Sequence, residues 1–145
     1  MVSLIAVRSD GVWHALPAEH VREILGGRGW VAIPTVSNGV PGVIAWRGRA
    51  IAVVDLGVVQ GAAPWLKSGV VRPRTVVVEA HGCTVAFPVD LVREVSDVQR
   101  TELHAPHATR LTHCSLEVML HGTPMPVLDV PSLIGQLLGD RPQPA

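Results

Sequence analysis

The chain repeats itself. Residues 11–24, GVWHALPAEHVREI, align with residues 82–95, GCTVAFPVDLVREV, at an offset of 71. Six of the fourteen positions are identical: Gly11, Ala15, Pro17, Val21, Arg22 and Glu23 match Gly82, Ala86, Pro88, Val92, Arg93 and Glu94. A second pair follows at an offset of 74, where GRAIAVVDLGVVQG (48–61) aligns with GTPMPVLDVPSLIG (122–135). Here Gly48, Val53, Asp55 and Gly61 match Gly122, Val127, Asp129 and Gly135. Two matches in the same order at similar offsets indicate a duplicated architecture.

Each half reads as one unit. An apolar strand (SLIAV; RTVVVEA) meets a glycine turn at Asp10-Gly11 or His81-Gly82. Such turns suit hairpins, because both central residues of the tight turn take positive φ. The chain returns as VWHAL or TVAF, and Pro17 and Pro88 are expected to end regular pairing, since proline donates no amide hydrogen. A short segment, VREIL or VREV, follows. A second hairpin turns at Arg47-Gly48 or His121-Gly122, and its return strand closes on Asp55 or Asp129. These aspartates are expected to accept hydrogen bonds from the exposed amides of the next turn, a structural capping role preferred over catalysis. About five short strands per half, rich in Val and Ile, predict two small barrels, because closing each sheet removes its exposed edges. Cores of that size are marginal alone, so the two barrels are expected to pack together, with partners at the seam.

The 145 residues suffice for one domain. We expect approximate subdomains at 12–70 and 75–138, with terminal strands exchanged, and a disordered tail at 140–145. Residues 62–74 read as the joining loop. Charge is balanced, 12 basic against 12 acidic residues, so the basic footprint of a nucleic-acid binder is missing. No apolar run approaches the ~20 residues needed to span a bilayer, so no direct membrane insertion is expected. The opening MVSLIAVRSDG has neither a basic start nor a long apolar stretch and does not read as a secretory leader. Cys83 and Cys114 form no metal motif and are expected to be reduced thiols. No phosphate loop and no nucleophile-base arrangement is legible, so no enzyme and no cofactor is expected.

Residues 33–56, IPTVSNGVPGVIAWRGRAIAVVDL, resemble the signature of CheW-like domains through Pro34, Gly42-Val43, Arg47-Gly48 and Asp55-Leu56. LPAEHVREIL resembles the family's first barrel, VAFPVDLVREV its second through Val89-Asp90 and Val92, and VLDVPSLI its closing strand and turn. The resemblance covers residues 3–138. Trp46 stands where the family usually carries Leu. The resemblance implies an all-β fold of two intertwined five-stranded SH3-like barrels with short helical turns. It also implies a non-catalytic adaptor joining the cytoplasmic tip of a methyl-accepting chemoreceptor to the regulatory domain of a CheA-type histidine kinase. Its implied place is the cytoplasm, at membrane-associated receptor arrays.

On that resemblance the candidate partner-binding residues are Arg47, Val21, Glu23, Gly42, Val43 and Trp46, with Gly48, Asp55 and Asp129 structural. Arg47 sits at a hairpin tip, where its planar guanidinium can pair bidentately with a carboxylate or bind backbone carbonyls; a solvated turn residue is the plainer reading. Val21 can equally be barrel core. Gly42 is expected to permit close backbone approach, and a side chain there to obstruct packing or docking. Trp46 can serve as core or as an interface anchor. Trp65 reads as a lid over the seam. Two other readings stay open: a CheW-like interaction protein of a pilus, gliding or other chemosensory pathway with part of the partner set, and a metal-binding β-barrel. The latter would use His104, His107, His113, Cys114 and His121, ligand types that zinc accepts but whose spacing fits no finger.

Overall fold

The protein is described here from a computed structural model, which covers residues 1–34, 39–67, 69–106 and 112–139. Eleven strands and two helices follow in order: β1 (Val2–Ser9), β2 (Val12–Pro17), β3 (Val21–Gly26), β4 (Val31–Ala32), β5 (Gly42–Trp46), β6 (Arg49–Val53), α1 (Leu56–Val59), β7 (Arg74–Ala80), β8 (Cys83–Val89), β9 (Leu91–Val98), β10 (Leu116–Leu120), β11 (Thr123–Val127) and α2 (Val130–Gly139). Short 3-10 turns at Ala18–His20 and Arg100–Glu102 complete the chain.

Four hairpin turns set the registers. Asp10-Gly11, Arg47-Gly48, His81-Gly82 and His121-Gly122 all have positive φ at both residues, between 47° and 80°. This is the mirror-image turn whose twist matches that of paired strands. Glycine takes the second position at no steric cost, while Arg47 and the two histidines hold the first against their own preference.

Two curled sheets result, with strand orders β10-β11-β2-β1-β9 and β3-β7-β8-β6-β5-β4. The second has six strands rather than five, because the two-residue β4 adds to its edge. Under the sequence repeat, β1, β2, β9, β10 and β11 correspond to β7, β8, β3, β5 and β6, so both sheets share one strand order. Each joins the first hairpin of one repeat to the later strands of the other. The sheets therefore cross the repeat boundary. The antiparallel pairs β1–β9 and β3–β7 carry the crossing, together with two parallel pairings: Val127 opposite Ala15, and Val53 opposite Ala86. Each is followed by the same hydrogen bond, Leu128 N to Ala15 O and Val54 N to Ala86 O, both 2.9 Å.

Pro17 closes β2, but Pro88 lies inside β8, opposite Thr75. The reason is local: β6 pairs with β8 only as far as Ala86, so one edge of β8 carries no ladder at Pro88 and a missing amide hydrogen costs nothing there.

Strand alternation builds three apolar clusters. Leu4, Ala6, Ala15, Val118 and Met125 fill the first sheet's curl, and Ile44, Trp46, Ile51, Val77 and Ala86 fill the second. The opposite faces of the same strands, Ile5, Val7, Leu16, Val76, Val78, Val85 and Phe87, meet between the sheets together with Leu133 and Ile134 of α2. Both faces of β1 and β7 are thus buried, which explains their near-continuous apolar sequence. Trp65 belongs to the central cluster and is only 8% exposed, a core residue rather than a lid.

One polar group lies within that layer. His14 is fully buried, its Nε2 3.0 Å from Gln60 Oε1 and its Nδ1 without a partner. Burial pulls its pKa from 6.5 down to about 4, against the opposing hydrogen bond from Gln60. The unfolded chain then binds a proton between those two values that the folded one refuses, so stability present above pH 6.5 is lost as pH falls toward 4.

Two outcomes follow from this architecture. Chains cut between Gly69 and Val70 are expected to stay unfolded as separate halves and to regain strand circular dichroism on mixing; a half that folds alone contradicts the crossed pairing. Urea titrations at pH 7 and pH 4.5 are expected to show about 2–3 kcal/mol more acid destabilisation in the native chain than in His14→Gln, from the conversion of ~1.4 kcal/mol per pKa unit.

Candidate functional site

The β5–β6 hairpin ends in Arg47, which the positive-φ turn fixes in one direction. Arg47 is 67% exposed at its side chain, and its Nη2 lies 3.2 Å from Glu23 Oε1 on β3. The same oxygen accepts a hydrogen bond from Trp46 Nε1 at 3.1 Å. Trp46 itself is 7% exposed and packs into the second sheet's core. Two guanidinium groups lie against its ring, Arg47 with Cζ 4.7 Å from the centroid and Arg49 at 5.5 Å. The indole thus spans core and surface, presenting a polar edge to Glu23 and a π-face to cations.

The polar contacts continue across the sheet. Arg49 Nη2 donates to Thr84 Oγ1 at 3.0 Å, Thr84 lies 3.4 Å from Glu79 Oε2, and Arg22 Nε meets the same Glu79 oxygen at 3.4 Å. Arg22 occupies the irregularity of β3, between the pairs Val21–Val78 and Glu23–Val77, where an extra residue turns side chains outward. Exposed ion pairs of this kind stabilise a fold by only ~0–1 kcal/mol each. They are cheap to open, so their charges can take other partners.

Val21 is partly buried and packs on the central cluster at the start of β3, while Ile24 of the same strand is 41% exposed. Val43 is half-buried, opposite Val31 and Ala52. Arg47, Glu23 and Trp46 therefore form one contact group, whereas Val21 packs on the central cluster and Val43 of β5 pairs with Ala52 of β6.

Gly42 is buried, and its role is packing. A Cβ there would lie 2.2 Å from Val31 O and 2.6 Å from Trp30 Cε3. The absent side chain lets β4 close over β5, so a side chain at position 42 obstructs that packing.

Asp55 is 2% exposed and caps α1 through Gly57 N (2.9 Å) and Val58 N (3.3 Å). Its two oxygens also accept from the amides of Trp65 and Leu66 at 2.9–3.1 Å. Asp129 caps α2 through Ser132 N at 3.0 Å. Both carboxylates are engaged by backbone, an arrangement that holds helices and loops rather than reacting groups.

The histidine-rich region does not converge. His113 bonds to Ser132 Oγ at 2.7 Å and Gln136 Oε1 at 2.5 Å on α2. His104 is bridged to Glu117 through both backbones. Cys114 is buried, and burial, reinforced by the charge of Asp129, pushes its thiol up to about 12. Such a thiol is protonated at neutral pH and poor as ligand or nucleophile. Among the described residues no three His, Cys, Asp or Glu side chains are grouped to hold a metal. His107 and the tail from residue 140 fall outside the described residues.

Sequence reasoning missed Arg22, Glu79, Thr84 and Arg49. The one available signal was the hairpin itself: Arg49 stands directly across the turn from Trp46, on the same face. The rest needed the pairing of β3 with β7, which joins the two repeats.

No helix among the described residues is long and apolar enough to cross a membrane. No curated protein matches the chain. In structure it is similar to the scaffolding protein TtCheW from Thermoanaerobacter tengcongensis, with a TM-score of 0.76 over 91% of each chain at 21% identity. That likeness speaks for the fold of two SH3-like barrels. The family model described as CheW-like domain matches residues 3–137, nearly the whole length, and the chain belongs to that family.

Proposed function

We propose that this protein is a non-catalytic signalling adaptor that couples the cytoplasmic tip of a methyl-accepting chemoreceptor to the regulatory domain of a CheA-type histidine kinase. Its place of action is the cytoplasm, at receptor arrays. Membership in the CheW-like family supports the adaptor role, and one observation supports the choice of face. Arg47 is held outward on a fixed turn, over a buried tryptophan, with only an exposed glutamate to release. A cation so placed can exchange Glu23 for a partner's carboxylate without reordering the barrel, which keeps the entropy of docking small. Val21 and the exposed Ile24 lie on β3 with Glu23, and Val43 lies on β5, the strand that leads to Arg47. The reading needs no cofactor: a contact surface performs this work.

The test separates docking from folding. In Arg47→Ala the melting temperature is expected to stay within a few degrees of the native chain, because an exposed pair contributes ~1 kcal/mol or less. Capture of the kinase regulatory domain or of the receptor tip is expected to fall about tenfold, the scale of one interfacial charge pair. Gly42→Ala should do the reverse in kind, losing the fold before any docking can be measured. Unchanged capture of both partners by folded Arg47→Ala and Glu23→Ala discards this face.

A further inference from the structure

The two repeats differ most after their capping aspartates. In the first, α1 stops at Val59 and the chain turns back over its own start. Ala62 N bonds to Gly57 O at 2.8 Å, and the amides of Trp65 and Leu66 bond to Asp55. Leu66 packs in the cluster that contains Val53. Arg72 then bonds to the carbonyl of Trp65 and to Asp90, at 2.8 Å, and clamps the segment down. Burial opposes ionisation of Asp90, but Arg72, the Asp10 amide and Arg8 more than offset it and hold its carboxyl below the usual range.

In the second repeat α2 runs on to Gly139 and no segment between Asp129 and Gly139 turns back. In the corresponding place is a surface pocket of about 280 Å3 whose walls include Glu19, Leu116, Val127, Asp129 and Pro131. Four of these are the repeat counterparts of groups that hold the first-half segment. Val127, Asp129 and Pro131 stand for Val53, Asp55 and Gly57, and Glu19 stands for Asp90. The backbone hook beneath is the same: Asp55 N bonds to Gly39 O at 2.8 Å and Asp129 N to His113 O at 2.7 Å. Asp129 is exposed where Asp55 is buried, and Glu19 is 78% exposed with His20 at 3.4 Å.

We propose that this pocket takes an extended segment of a partner protein that reproduces the chemistry of residues 62–72: a small residue, a Leu-sized apolar residue, and a basic residue several positions on. The amides of the first two bond to Asp129, the apolar side chain covers Val127, and the cation pairs with Glu19. Two differences set the specificity. A Cβ on Gly57 would come within 2.6 Å of Trp65 Cγ, and the second repeat has Pro131 there, so a tryptophan in the first position is excluded. Leu116 stands where Gly42 does, and makes the pocket shallower and more apolar.

This inference rests on the internal repeat and not on the adaptor reading. Its test therefore involves neither kinase nor receptor. The probe is the synthetic peptide GAAPWLKSGVVR, the sequence of residues 61–72, in which Ala replaces the tryptophan. Titrated into the isotope-labelled full chain, it is expected to shift amide resonances at Glu19, Leu116, Asp129 and Pro131's neighbours, and to bind more tightly than the tryptophan peptide. Glu19→Arg and Leu116→Glu, both on exposed positions that spare the fold, are expected to weaken it about tenfold. So should a peptide whose last Arg is replaced by Glu. Shifts confined to the surroundings of Asp55, or none at millimolar peptide, overturn the proposal. Concentration-dependent shifts at the pocket without peptide, with a dimer mass, overturn it in favour of a second copy of this chain.

Discussion

Two short parallel contacts tie the second hairpin of each repeat to the first hairpin of the other: Val127 beside Ala15, and Val53 beside Ala86. Each contact is made between residues that the repeat leaves identical, Ala with Ala and Val with Val. Ala15 and Ala86 are wholly buried. A small side chain there keeps the crossing strands close, and any larger one would have to displace a barrel core packed on both sides. The duplication is thus most strictly kept where the copies touch.

Crossed pairing has consequences for the exposed face. Because β3 belongs to the first repeat and β7 to the second, Glu23 and Arg22 reach Arg47, Trp46 and Glu79 only in the completed fold. The polar surface cannot form before the two repeats have met. It is also stiff, since Trp46 is anchored in the core and the turn below Arg47 has one backbone conformation. A surface of this kind loses little freedom on docking, in contrast to a flexible loop that must be ordered first.

The sequence disclosed this architecture unevenly. All four tight turns were legible, because glycine after a turn residue is a local signal that needs no tertiary contact. Helix capping by Asp55 and Asp129 was legible in part: Asp55 also collects the amides of Trp65 and Leu66, ten and eleven residues on, which no local rule anticipates. Pro88 misled, because whether proline breaks a strand depends on which neighbour is present at that rung. Gly42 was read for close approach, and the segment that approaches it is Trp30-Val31, at the start of β4. Trp46, which sequence left open between core and interface, is buried in the second sheet's core with its indole N–H turned to Glu23. The rest of the polar network was hidden, because Arg49 and Thr84 are 35 positions apart, Arg22 and Glu79 lie in different repeats, and both contacts depend on pairings that cross the repeat.

Identity of fold between the halves makes their chemical differences easy to read. At the tip where the first repeat has Trp46, Arg47 and Arg49, the second has Leu120, His121 and Thr123. Glu23, tied to that tip, corresponds to Glu94, which is exposed. After Asp55 the chain seals its own groove, and after Asp129 a groove is left and a longer helix begins. Trp46 and Leu120 both fill the curl of their own sheet, while Arg47, Arg49, His121 and Thr123 differ outside the clusters. The two ends of the molecule are therefore unlike, although one body carries both. Duplication provides the body, the crossed strands make it rigid, and divergence confined to tips and grooves makes its two ends different without disturbing the core that positions them.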